Sequence, residues 1–275
     1  MNIVLTCLVN FQEYIIINIE QLLKLNHNNI HVITNKQILY NFDNYKDKIK
    51  LYIVEDFERD LFKFNSTSTL NNFFRNGFWR LSSYRFFIIY EFMYKYNIEN
   101  VIHLENDVLI YYNCDLLLPL LDKKKLYIPF DCFRRNIASI VFIPNHHIFE
   151  EILHNYNKNI DDMYNFRNIQ LKTQLIENFP IFKLCNINEE YKFVTKNYDI
   201  FNMIFDGAAI GQYLGGIDPR NKTGNTKGFI NETCIIKYNN YSFEWDDKKP
   251  FLILKNEKIP IFNLHIHSKN LKEFV

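Results

Sequence analysis

The sequence predicts an α/β chain whose mixed, mainly parallel central sheet is flanked by helices. Three observations carry this. Residues 3–9, "IVLTCLV", form a continuous apolar, β-branched run of the kind a strand covered on both faces requires. Strand-like and helix-like segments then alternate, as crossovers between parallel strands demand. Residues 79–96 carry neither Gly nor Pro and lead through "NIEN" into a further apolar strand.

In chain order, Tyr14, Ile17, Leu22 and Leu25 follow the first run with the spacing of one helical face. "IHVIT" (30–34) and "IKLYIVE" (49–55) read as the next strands, and "WRLSSYRFFIIYEFMYKY" (79–96) as a helix. "VIHLENDVLIYYN" (101–113) opens as a buried strand that ends on Glu105 and Asp107. "LYIPF" (126–130) and "ASIVFIP" (138–144) are strands, the second expected antiparallel to the rest, and "HHIFEEILHNY" (146–156) is a helix. Residues 157–200 have a mixed pattern that specifies no element. "IPIFNLHIH" (259–267) reads as a closing strand with His265 and His267 on one face.

Composition narrows the function. With 275 residues, 48% of them hydrophobic, the chain can bury a substantial core, which excludes disorder. Thirty-two basic against 31 acidic residues exclude a bulk-charge attraction to nucleic acid or to an anionic membrane. The five cysteines are scattered without CxxC spacing, so neither a zinc site nor a disulfide framework is expected, and a reducing, cytoplasmic setting is. The apolar N-terminal segment is too short for a secretory signal, and no run approaches the roughly 18 apolar residues of a membrane span. The oligomeric state is not legible.

An acid-x-acid pair at a strand end serves either to hold a hard divalent cation or to do general acid and base work; the bland alternative is a solvated turn. Here the pair interrupts an apolar region, and in doubly wound sheets ligands lie beyond the carboxyl ends of the strands. Glu105-Asn106-Asp107 and the arginine-bearing helix before it resemble the DxD-type motif of nucleotide-sugar glycosyltransferases with the GT-A (Rossmann-like) fold. That resemblance implies one domain over 1–275, with 1–113 receiving the nucleotide and 114–275 the acceptor. It also implies a nucleotide-sugar donor, UDP-linked by preference, a glycan or other hydroxyl acceptor, and Mn²⁺ or Mg²⁺. Asp107 becomes the metal ligand, Glu105 a ribose or metal contact, and Asn106 a donor contact. Glu in place of the first Asp makes direct coordination by Glu105 an open question.

The resemblance extends to four other places. "HIHSK" offers His267 as the expected metal ligand, His265 as its support and Lys269 as the diphosphate contact; an exposed terminal cluster is the alternative. Either Arg80 or Arg85 reaches the donor, since a guanidinium forks onto phosphate oxygens, and the spacing does not decide between them. "FDGAAIGQYLGG" (205–216) gathers four of the seven glycines, which fits either tight packing or an acceptor-side segment. In the second case Asp206 is the general base and Gln212, Gly215 and Gly216 meet the sugar. Position alone makes Val9, Asn10 and Phe11, after the first strand, the base and ribose contacts. Two rival readings stand beside transfer. A sugar-nucleotide nucleotidyltransferase would want a Gly-rich basic loop where "VNFQEYIII" has neither, and a non-catalytic carbohydrate-binding module would not need the acids.

Overall fold

In the computed structural model, the described residues are 1–57, 62–71, 73–221 and 226–275. The first half runs β1 (Asn2–Cys7), α1 (Tyr14–Lys24), β2 (Ile30–Thr34), β3 (Lys50–Ile53), α2 (Phe64–Thr67), α3 (Phe78–Tyr96), β4 (Val101–Leu104) and β5 (Val108–Ile110). Then come β6 (Leu126–Pro129), β7 (Ile140–Ile143), α4 (His146–His154), α5 (Asp162–Thr173), β8 (Ile176–Phe179), α6 (Glu189–Val194), α7 (Tyr198–Phe201) and α8 (Ile210–Gly215). The chain closes with β9 (Ser242–Asp246), β10 (Lys249–Leu254), β11 (Glu257–Pro260) and β12 (Asn263–His265).

Among the described residues the main sheet has seven strands in the order β3-β2-β1-β4-β7-β6-β8. The pairs β1–β2, β2–β3, β1–β4 and β6–β8 are parallel, and β7 runs antiparallel to β4 and β6 as its sequence position suggests. This is the mixed, mainly parallel, helix-flanked sheet the sequence predicts. Strand alternation builds its two cores. Ile3, Leu5, Ile102, Leu104, Ile140 and Phe142 pack on one face with Ile15, Ile19 and Leu22 of α1. Val4, Val101, Val141 and Ile143 pack on the other with Phe86, Ile89 and Phe92 of α3, Phe149 of α4 and Ile169 of α5. Asn97, at φ 50°, ends α3 by turning left-handed and donating its N–H to Met93 O.

Two expectations are corrected. The closing strand is not continuous over 259–267. It breaks into β11, in a three-stranded sheet with β9 and β10, and β12, which pairs antiparallel with β5. The segment 157–200 holds α5, the edge strand β8, α6 and the start of α7. Among the described residues no helix is long and apolar enough to cross a membrane, and all five cysteines are free.

Two buried histidines of the sheet, His31 on β2 and His103 on β4, have imidazoles lowered by burial and so tie stability to pH; His31 is the one that titrates nearer neutrality. His31 on β2 is buried, 3.1 Å from Tyr52 OH and 3.2 Å from Asn2 Oδ1. Burial, helped by the nearby Lys50 charge, pushes its imidazole from 6.5 down to about 4. A base depressed in the folded state contributes stability that is present above pH 6.5 and is lost as pH falls toward 4. The loss approaches about 3 kcal/mol at the acid end. Urea unfolding at pH 7 and pH 4.5 is expected to show the lower midpoint at pH 4.5, and His31→Gln is expected to flatten that dependence.

Candidate active site

Strands β1 and β4 are neighbours, yet the chain leaves β1 toward β2 and β3 on one side and returns at β4 on the other. Such a reversal of strand order opens a crevice beyond the strands' carboxyl ends. The turn Glu105-Asn106-Asp107, between β4 and β5, lies there. α1 holds the turn from below, since Asn18 Nδ2 lies 3.3 Å from both the Glu105 and Asn106 carbonyl oxygens. Asn106 donates its amide to Thr6 O at 2.8 Å and to the Gln12 side chain, and so props the turn.

The β5–β12 pairing delivers the C-terminal residues to the acids. His265 pairs with Val108, and Ile266 N donates to Asp107 O at 2.8 Å. His265 Nε2 lies 3.1 Å from Glu105 Oε2 and 3.4 Å from Asp107 Oδ2, while its Nδ1 is 2.6 Å from Gly207 O. Burial alone would lower this imidazole, but the Asp107 and Glu105 carboxylates outweigh it and raise it to about 9. Lys269 Nζ donates to Asp107 Oδ2. Burial would push Asp107 up; Lys269 and His265 instead hold it well below the usual carboxylate range.

One ligand atom each from Glu105, Asp107 and His265 can be chosen so that all lie within 4.8 Å of one another. Two carboxylate oxygens and one imidazole suit a divalent cation, and the imidazole moves the preference from Mg²⁺ toward Mn²⁺. The Gly207 carbonyl on Nδ1 fixes the ring so that Nε2 faces the acids, as the outer partner of a metal-bound histidine does. These residues therefore fit the cation that the sequence implies.

The structure sets His265, and not His267, against the two acids. His267 lies beyond the end of β12 with its Nδ1 3.0 Å from Gln212 Nε2, and its buried Nε2 has no hydrogen-bond partner among the described residues. Burial, and then the charges of His265 and Lys269, push it well below 6.5. The rings stand 4.1 Å apart, so His267 backs His265.

Asp206 has a different duty from the one expected. Its Oδ1 accepts from Ala209 N and Ile210 N, both at 2.9 Å, and its Oδ2 from Gly211 N at 2.7 Å and His265 N at 2.9 Å. Four N–H donors consume the carboxylate, which therefore joins the start of α8 to β12 and has no oxygen turned to an acceptor hydroxyl. The glycines around it pack. A Cβ on Gly211 would lie 2.1 Å from His265 O, and one on Gly215 would meet the Phe274 ring at 3.1 Å. Gly216 ends α8 at φ 87°. Gln212 is buried on His267.

Of the two arginines, Arg85 reaches the site. It is buried and donates from Nη1 to Glu105 Oε1 and from Nη2 to Asp162 Oδ2 at 2.9 Å. Burial, with Glu105 and Asp161 adding to it against Arg85, raises Asp162 to about 6. Arg80 instead bonds Asn65, at 3.1 Å to its carbonyl and 3.0 Å to its side chain. After β1, half-buried Phe11 packs edge-on to Phe42 at 5.6 Å, against the core. Val9 takes the left-handed region at φ 67°, costly for a β-branched residue, and is held by Asn35 Oδ1 on its N–H at 2.7 Å and by Gln37 Nε2 on its carbonyl at 3.2 Å. Asn10 follows with its N–H on Leu8 O at 2.8 Å.

Sequence reasoning missed several charged neighbours. Asp218, after α8, receives Arg220 through Nε at 3.0 Å and Nη2 at 2.6 Å, and Arg75 at 3.6 Å. Burial would raise Asp218, but the Arg220 guanidinium brings it down to about 2. Arg220 is held in its charged form mainly by Asp218 and also by Tyr14 and Asp107, and Tyr14 opens α1 with Lys269 Nζ 5.5 Å from its ring centroid. The Asp-x-Arg spacing of "IDPRN" was the available signal for the Asp218–Arg220 pair. Nothing local marks Asp162 as part of the site.

No family model matches the sequence, and no curated protein does. Among solved structures the chain is similar to mouse xyloside xylosyltransferase 1 in its apo form, with 12% identity, 65% of this chain and 84% of that chain covered, and a TM-score of 0.46. It is also similar to a cytidylyltransferase from Leptospira borgpetersenii, with 13% identity, 69% and 76% covered, and a TM-score of 0.39. A third is the galactosyltransferase LgtC in complex with donor and acceptor sugar analogs, with 14% identity, 66% and 73% covered, and a TM-score of 0.39.

Proposed function

We propose that this protein is a metal-dependent glycosyltransferase that moves a sugar from a nucleotide-sugar donor, UDP-linked by preference, to a glycan or other hydroxyl acceptor. The observation that carries the reading is the convergence of Glu105, Asp107 and His265 with Lys269 at the strand-order reversal between β1 and β4. Asp107 and His265, with Glu105, would hold Mn²⁺, which supplies charge neutralisation for the departing diphosphate. Lys269 and Arg220 orient the diphosphate by charge, and the segment from Val9 to Asn10 receives the nucleoside. Residues 1–113 then act as the nucleotide half and 114–275 as the acceptor half, with β12 returning His265 to the first. Asp206 acts by positioning, since it fixes His265 N and α8 together. Five free cysteines agree with work in a reducing, cytoplasmic compartment.

Incubation with UDP- and GDP-sugars and Mn²⁺, without acceptor, tests the reading. Slow release of nucleoside diphosphate is expected. Consumption of a nucleoside triphosphate with a sugar 1-phosphate, and no cleavage of sugar nucleotides, would replace transfer with nucleotidyl chemistry.

The histidines make a second prediction. His265→Ala is expected to raise the Mn²⁺ concentration for half-maximal cleavage by about 100-fold, because it removes a ligand, and His267→Ala by no more than about tenfold, because it removes a ligand's support. Titration of donor cleavage with Mn²⁺ checks the order, and a larger effect at His267 would restore it as the ligand.

A further inference from the structure

Glu105 is held from behind by a buried charge pair that the transfer reading does not use. Arg85 comes from the middle of α3 and Asp162 from the first turn of α5; both are more than nine-tenths buried. The two elements share one core, where the Phe86 and Phe166 rings lie 4.9 Å apart, and α5 is also tied through Met163 O, which accepts Asn136 N at 2.8 Å.

A guanidinium can give a carboxylate two parallel N–H bonds. Here it does not. Asp162 Oδ2 takes Nη2 at 2.9 Å, so Glu105 receives Nη1 alone, on Oε1. Its other oxygen, Oε2, is thereby turned to His265 Nε2 at 3.1 Å, on the side where Asp107 stands. We propose that Arg85 and Asp162 are positioning residues that aim one oxygen of Glu105 at the divalent cation. Asp162 keeps Arg85 from closing over both Glu105 oxygens, and Arg85 keeps Glu105 from swinging out of the crevice.

This inference rests on the metal in the proposed function, so the test uses Mn²⁺ alone before any donor. Free Mn²⁺ is followed by electron paramagnetic resonance as the full chain, Glu105→Gln and Asp162→Asn are titrated. Asp162→Asn keeps the side chain's shape and removes its charge. Its Mn²⁺ affinity is expected to fall by about tenfold, the effect typical of an outer-shell partner. The Mn²⁺ requirement of donor cleavage should rise by the same factor, a larger change than in kcat measured at saturating Mn²⁺. Arg85→Lys, whose ammonium lacks the fixed planar fork of the guanidinium, should weaken Mn²⁺ likewise and serves as the second variant if Asp162→Asn does not fold. Mn²⁺ affinity within twofold of wild type in the folded variant overturns the positioning role. So does wild-type affinity in Glu105→Gln, which would leave the metal reading standing on Asp107 and His265. A wild-type chain that binds no Mn²⁺ overturns the metal reading and this inference together.

Discussion

Asp107→Asn is expected to lower Mn²⁺-dependent donor cleavage by about 10³-fold while leaving the chain folded. The side chain is buried at the mouth of the crevice and is the meeting point of Lys269 and His265, so its charge is the one the cation and the diphosphate both depend on. The substitution preserves volume. It leaves Lys269 without its anion, but that side chain is a quarter exposed and can turn to water, which limits the cost to stability. Kinetics measured beside thermal unfolding separate the two effects: a large loss of rate with a nearly unchanged midpoint is the expected pair.

Gly211→Ala is expected to act through geometry. Its Cβ would fall 2.1 Å from His265 O, 2.6 Å from His265 C and 3.0 Å from an Asp206 oxygen. The first two are backbone atoms, so α8 and β12 must separate. Overpacking of this kind costs about 3 kcal/mol. The separation also withdraws His265 from the acids, and a displacement of about 1 Å at a catalytic group can cost about 100-fold in rate. A lower urea midpoint together with reduced donor cleavage is the expected outcome, and wild-type values of both would mean that α8 and β12 are not rigidly joined.

The main sheet was legible because its strands are buried on both faces. "IVLTCLV" and "VIHL" leave no polar alternation to misread, and the Gly- and Pro-free run through α3 leaves no place for a break. Residues 157–200 were not legible for the opposite reason. α5 buries Asp162, Asn165 and Arg167 beside Phe166 and Ile169, so its inner face lacks an apolar stripe, and β8 is four residues long and carries the charged Glu177 and the amide of Asn178. The apolar run 259–267 hid a change of sheet, which depends on which strands β11 and β12 meet and not on their own residues.

In the site, the acids and the C-terminal imidazoles were legible as chemistry, but the choice between His265 and His267 was not. Alternation puts both on one face, and what separates them is Gly207 O on one ring and Gln212 on the other. Asp206 reads as a base in the sequence because backbone N–H groups leave no mark there; four of them occupy it. Arg85 could not be preferred over Arg80 until α5 supplied Asp162.

The most direct test of the account is anomalous diffraction from a crystal soaked with Mn²⁺ and UDP. The account predicts one strong Mn²⁺ peak about 2.2 Å from an Asp107 oxygen and from His265 Nε2, shared with the UDP diphosphate. A peak on His267 alone, or UDP bound away from Asp107 with no Mn²⁺ beside it, would contradict it.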